Sequence, residues 1–149
     1  MKKFVLLFLM SLSVSAYAQK ALKSVPKEVS ESFSVNYPDV VVEKWFFKRK
    51  NKQYVAKFQI NDFDYQAYFT DAGIWTKTER TIKRSDAPQD VWFSFRRCDY
   101  ASWEVFAVKE YQTPRYEFLY VVDVIRQGYQ DVSLYFLPDG TFLGTKLFY

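Results

Sequence analysis

Two stretches of the chain repeat each other. Tyr68-Phe69-Thr70-Asp71-Ala72-Gly73-Ile74-Trp75 matches Tyr135-Phe136-Leu137-Pro138-Asp139-Gly140-Thr141-Phe142 in its tyrosine, phenylalanine, glycine and final aromatic, at an offset of 67 residues. Each copy reads as the end of an apolar strand, a turn closed by glycine, and an aromatic that opens the next strand. A second pair of matches lies upstream. Val29 and Phe33 stand four apart, on one face of a helix, and recur as Val91 and Phe95 at an offset of 62. Proline and an acid precede both pairs, in Pro26-Lys27-Glu28 and Pro88-Gln89-Asp90. A chain that repeats helix start and strand turn in the same order is built from two like units.

Each unit reads as one helix followed by four strands, over about 24–81 and 85–149. In the first, Ser24 is the expected cap, Pro26 fits the first turn, and Tyr37-Pro38-Asp39 ends the helix because proline blocks its continuation. Strands follow over 40–49, 53–60, 63–70 and 74–81, separated by short turns rich in Asn, Asp, Lys and Gly. The second unit gives strands over 102–109, 115–125, 130–136 and 141–148. Phe106 takes the place of Trp45, and the drift in offset is assigned to insertions around Arg126 to Gln130.

Alternation divides the faces. Tyr54, Ala56, Phe58 and Ile60 share one side, as do Tyr65, Ala67 and Phe69, and then Tyr116, Phe118, Tyr120 and Val122. These are the expected core. Short turns between successive strands make an antiparallel meander. Two such units side by side give an α+β fold: one eight-stranded antiparallel sheet with both helices on one face.

The N-terminus reads as an export signal. Met1-Lys2-Lys3 is basic, Phe4 to Leu12 is nearly all apolar, and Ala16-Tyr17-Ala18 is an A-x-A cleavage site. Residues 1–18 are the expected signal peptide and 19–149 the mature single domain, periplasmic or secreted. The apolar run is short for a bilayer span, which takes about 20 residues, and no later segment is long and apolar enough. The formal charge of +4 includes Lys2 and Lys3, so the mature chain carries +2, which is no nucleic-acid footprint. Cys98 is the only cysteine, so no disulfide forms within the chain, and it reads as a small buried hydrophobe.

Catalytic chemistry has little to work with. The chain has no histidine, which removes imidazole metal ligands and histidine-activated nucleophiles. No glycine-rich phosphate loop is present, and the aspartates at 62, 64, 71, 123, 131 and 139 read as turn residues without the dense oxygen-ligand spacing of a calcium loop. No cofactor, metal or catalytic residue is expected, and enzyme is the weaker class. Aromatics are 21% of the chain, with 15 Phe, 12 Tyr and 4 Trp, more than one core face absorbs. By alternation Lys57, Tyr68, Leu119, Val121 and Tyr135 fall on the face away from the helices. Aromatic and aliphatic side chains exposed over one sheet face mark a partner site. The expected function is an exported binding module, inhibitory or modulatory, that takes an extracytoplasmic protein or peptide on that open face. The alternatives are a binder of a small envelope ligand or peptide, and a self-associating structural protein.

The same residues carry a family resemblance. Val-Pro-x-x-Val-x-x-x-Phe-x-x-x-Tyr-Pro (Val25 to Pro38), Val-x-x-Trp, Tyr-x-Ala-x-Phe (Tyr54 to Phe58) and Tyr-x-Ala-x-Phe-x-x-x-Gly-x-Trp (Tyr65 to Trp75) resemble the PepSY-like family of β-lactamase-inhibitor-like proteins, small exported proteins common in Bacteroidota. The second unit keeps Phe95, Tyr116, Tyr135, Phe136 and Gly140, while Asp99-Tyr100 replaces the Tyr-Pro. The resemblance implies a concave antiparallel sheet with helices on its convex side, and a role in binding or inhibiting an extracytoplasmic enzyme. Named inhibitors of this shape carry disulfides, which the single Cys98 does not provide.

Overall fold

In the computed structural model, residues 22–146 are described. The expected signal peptide and the end of the expected last strand lie outside them. Helix α1 (Lys27–Asn36) precedes strands β1 (Val42–Lys48), β2 (Gln53–Ile60), β3 (Phe63–Phe69) and β4 (Trp75–Ile82). A short 3-10 turn (Arg84–Asp86) leads to α2 (Gln89–Phe95), then β5 (Glu104–Gln112), β6 (Leu119–Ile125), β7 (Val132–Phe136) and β8 (Phe142–Gly144). The strands form one sheet in sequence order, each antiparallel to the next. Pairing of β4 with β5, from Thr78 opposite Gln112 to Ile82 opposite Val108, joins the two units into that sheet.

Each helix covers the sheet of its own unit. Val29 and Phe33 of α1 pack with Ala56, Phe58, Ala67 and Phe69, and Tyr37, Trp45, Tyr54, Tyr65 and Trp75 surround them. Val91 and Phe95 of α2 pack with Val108, Tyr120, Val122, Val124, Leu134 and Phe136. The first core is aromatic, with the Phe33 and Phe58 rings edge-to-face at 5.1 Å. The second is mostly aliphatic, and Cys98, a free thiol, lies partly buried against it. Thr78 is buried in the first half, where it accepts from Trp75 Nε1 at 2.9 Å and shares a short hydrogen bond with the Tyr37 hydroxyl.

The repeated glycine turns dock the helices. Gly73 and Gly140 take φ +76° and +82°, and each lies against the first turn of its helix. A Cβ at Gly73 would overlap the carbonyl oxygen of Glu28, and one at Gly140 that of Asp90. The backbone bonds repeat as well. Thr70 N–H donates to Ile74 and Gly73 N–H to Thr70, as Leu137 does to Thr141 and Gly140 to Leu137. The pairing register then slips between Tyr68 and Phe69 and again between Tyr135 and Phe136.

Four expectations from sequence are corrected. The helix caps are Pro26 and Pro88 rather than Ser24, with the Pro26 carbonyl accepting from Val29 and Ser30. Phe106 does not stand where Trp45 stands. Both β1 and β5 have a bulge, between Val42 and Lys44 and between Val105 and Ala107, and the extra residue shifts the alternation by one. Val42 and Trp45 therefore correspond to Val105 and Val108, and Phe106 is 54% exposed. The sixth strand begins at Leu119 rather than Arg115, so Phe118 is exposed and Tyr116 leaves the helix-facing core. The insertion lies mainly there too. Trp45 opposite Ala56 corresponds to Val108 opposite Val122, which makes the β5–β6 connection three residues longer than β1–β2, whereas β6–β7 gains one.

Gly73→Ala and Gly140→Ala are each expected to lose roughly 2–4 kcal/mol, as positive-φ strain adds to the overlap with the helix. Gly128 has φ +83° with no neighbouring atoms, so Gly128→Ala carries the strain alone, about 1 kcal/mol. Urea denaturation of the three variants checks this. Equal losses at all three sites would show that the helix contact contributes nothing.

Candidate functional site

The sheet face away from the helices is hollow. Asn51 and Gln53, from the β1–β2 end of the sheet, and Thr145 and Lys146, which follow β8, line one cleft of about 950 Å³. Residues next to opposite edges of an eight-stranded sheet meet around one space only if the sheet curls. Ile74, then Trp75, Thr76 and Lys77 at the start of β4, Tyr111, Tyr135, and Pro114 with Arg115 complete the wall.

Curling buries much of the face that alternation marks as open. Tyr68 is 2% exposed, and Leu119 and Val121 are fully buried. The last two form a small core with Tyr111, over which Tyr116, Tyr135, Leu137 and Leu143 are laid. Tyr116 reaches it from the inserted β5–β6 loop, which is closed by Thr113 N–H to the Tyr116 carbonyl and Tyr116 N–H to Thr113 Oγ1, both 2.9 Å. Of the five residues expected on an exposed partner surface, Lys57 and Tyr135 are half-buried; Tyr135 lines the cleft, whereas Lys57 lies outside it, in a separate depression with Asp64, Gln66 and Glu79, 3.7 Å from both Glu43 and Asp64. Tyr68, Leu119 and Val121 are structural parts of the hollow's floor. Alternation gives the direction of a side chain and not the curvature that covers it.

A charged cluster that composition did not reveal crosses the floor. Tyr68 stands directly opposite Lys77, and Glu79 opposite both Gln66 and Tyr111. The Tyr68 hydroxyl donates to Glu79 Oε1 at 2.7 Å and accepts from Lys48 Nζ at 2.8 Å. Lys77 Nζ is 2.5 Å from Glu79 Oε2 and lies 4.2 Å over the rings of both Tyr68 and Tyr111. One strand further, Lys109 pairs with the buried Asp123 at 2.6 Å, and Ser133 Oγ donates to the same carboxylate at 2.6 Å. Its signal in the sequence is charge at every second position, Lys77 and Glu79 on one strand and Lys109 on the next, facing inward where a solvated face would be expected.

Burial sets the proton affinities of this floor. It pushes the Tyr68 and Tyr111 hydroxyls far up, and Glu79 adds to both shifts. It pulls the Lys77 ammonium down, with Glu79 acting against it, and it lowers Lys48 as well. For Glu79 burial acts upward, but the charge and hydrogen bond of Lys77, with the Tyr68 hydroxyl, outweigh it and hold the carboxyl below its ordinary range. Glu79 and the two tyrosines therefore keep fixed protonation states across neutral pH. The cluster is an ion-pair network that presents a preformed polar surface. Among the described residues, no group of three histidine, cysteine or carboxylate side chains converges as a metal site would, and no helix is long and apolar enough to cross a membrane.

The fold has solved counterparts. A DUF2874 family protein from Bacteroides ovatus superposes with a TM-score of 0.68 at 24% identity, over 84% of this chain and 89% of that one. A BLIP-like protein from Bacteroides fragilis gives 0.66 at 24%, over 84% and 87%. A Bacteroides eggerthii protein provisionally described as periplasmic gives 0.63 at 22%, over 80% and 86%. No protein-family model and no curated protein matches the chain. These likenesses establish the fold, an open eight-stranded antiparallel sheet with two helices, as the shape shared with a BLIP-like protein.

Glu79 is ionised more readily in the fold than in the unfolded chain. Its contribution is complete above the ordinary carboxylate value of 4.5 and is lost as pH falls through the lowered value. Glu79→Gln leaves Lys77 without its anion and is expected to lose roughly 2–3 kcal/mol at pH 7, below the range for a fully buried pair because both side chains keep some exposure. The gap to the unsubstituted protein should narrow between pH 5 and pH 3. Thermal unfolding across that range checks it, and a gap independent of pH would remove Glu79 from the acid response.

Proposed function

We propose that this chain is an exported, non-catalytic binding module, periplasmic or secreted, that takes an extracytoplasmic protein or peptide against the hollow face of its sheet. Inhibition or modulation of an extracytoplasmic enzyme is the specific form of this reading. The observation that carries it is the hollow itself: a cleft about 950 Å³ in volume, walled by loops of both units, over a floor locked by ion pairs and buried tyrosines. A rigid floor is preorganised, so a partner that docks there gains contacts without ordering the sheet first.

Three further observations support the reading. The N-terminus follows the signal-peptide pattern. The chain lacks histidine, and two carboxylates of the floor, the partly buried Glu79 and the buried Asp123, are each paired with a lysine. A BLIP-like protein and one provisionally described as periplasmic share the fold, and the PepSY-like motifs point the same way.

The test is capture from the host envelope fraction by the mature chain from Gln19, compared with a Lys57→Glu/Tyr135→Ala variant. Tyr135 lines the cleft and Lys57 a neighbouring depression of the same sheet face, whereas Tyr68→Ala would remove the centre of the floor and report on folding. A protein retained by the parent and lost by the folded variant is the expected result. Equal retention would exclude this face as the docking surface.

A further inference from the structure

We propose that the cleft at the turn end of the hollow face binds a small anion with an apolar or aromatic body, a carboxylate being the simplest such group. This site does not depend on a protein partner. The volume of about 950 Å³ lies near the upper end of the small-ligand range. Ile74, Trp75, Pro114, Tyr111 and Tyr135 supply apolar and aromatic wall.

Charge selects the ligand's sign. Lys77, Arg115 and Lys146 line the cleft, and no aspartate or glutamate does. Lys77 is already neutralised by Glu79. Arg115 and Lys146 are exposed and have no carboxylate at ion-pair distance among the described residues. The Arg115 guanidinium carbon lies 5.3 Å from the centre of the Tyr116 ring. Two exposed cations with no carboxylate partner among the described residues, beside an aromatic wall, match a ligand that carries negative charge at one end and apolar surface at the other.

The duplication sharpens the argument. Pro114 and Arg115 belong to the loop lengthened by three residues relative to its counterpart in the first unit. That counterpart, the β1–β2 turn, places Asn51 and Gln53 at the same cleft and contributes no cation to its lining. The inserted loop therefore does two things. Its Tyr116 covers the small core at Leu119 and Val121, and its Arg115 turns charge toward the space left between the units.

The test uses 2-naphthoate as the probe and 2-naphthamide as its uncharged match, titrated into the mature chain and followed by amide chemical shifts. Naphthoate is expected to bind roughly tenfold more tightly than the amide at low salt, as two surface cations allow. Added salt should erase much of that preference. Shifts should cluster on residues 74–77, 111, 115 and 135. An Arg115→Gln/Lys146→Gln variant should bring naphthoate down to the level of the amide and leave the amide's affinity and the melting temperature unchanged. Equal binding of acid and amide, shifts confined to another surface, or no binding of either probe to the folded chain would each overturn the proposal. None of these results bears on capture of a protein through Lys57 and Tyr135, so the two readings fail separately.

Discussion

Eight strands in one layer have two faces to bury, and two short helices can cover only one of them. Everything on the other side follows from that imbalance. A flat sheet would leave Val55, Tyr68, Leu119 and Val121 in water, yet all four are buried. Curvature does part of the work, with bulges in β1 and β5 and register slips at Tyr68 and Tyr135 that increase twist. Long side chains do the rest. Lysine and tyrosine lie along the sheet with their apolar stems and rings over their neighbours and their polar ends paired. Burying a valine or leucine this way contributes about 1.5–3 kcal/mol, which for a single-layer sheet decides whether the second face supports the fold or opposes it.

Pairing is what makes such a floor tolerable. Lys77 and Glu79 sit on one strand with little exposure, and an unpaired charge there would be strongly unfavourable. Their mutual attraction mainly offsets desolvation, so the pair adds little net stability over an apolar replacement. What it supplies is definition. Tyr68, Lys48, Lys77, Glu79 and Tyr111 hold one another in a single arrangement across four of the eight strands. An apolar floor in the same place would be more adhesive and less specific, and would expose the protein to self-association.

Much of this was legible in the sequence, where the signal was local. The turn glycines, the paired helix residues and the alternation in β2 and β3 each depend on a few neighbouring positions, and the structure keeps all of them. What was not legible depends on distant parts of the chain. A bulge adds one residue to a strand without changing its composition, so Phe106 reads as core and stands exposed, while Val108 takes the buried place. The β5–β6 loop looks like strand because Tyr116 and Phe118 continue the alternation into Tyr120. Pro114 and the turn bonds of Thr113 stop it. Burial of Tyr68, Leu119 and Val121 comes from curvature, which belongs to the whole sheet and to no residue in it.

Duplication and divergence together explain where the hollow's chemistry lies. Tyr68 and Tyr135 are repeats of each other and both project from the helix-free face, but their surroundings differ. In the first unit Tyr68 is flanked by lysine and glutamate and becomes the hub of a polar floor. In the second, Tyr135 pairs across the strand with Val121 and lies over the apolar core of Leu119 and Tyr111. A charged cluster around Tyr68 therefore faces an apolar one around Tyr135, with the Lys109–Asp123 pair beyond it, and the cleft opens at Lys77, Tyr111 and Tyr135. Two identical units would have placed like against like at the seam. Divergence has instead set Lys77 of the first unit over the Tyr111 ring of the second, so that cation and aromatic meet across the seam.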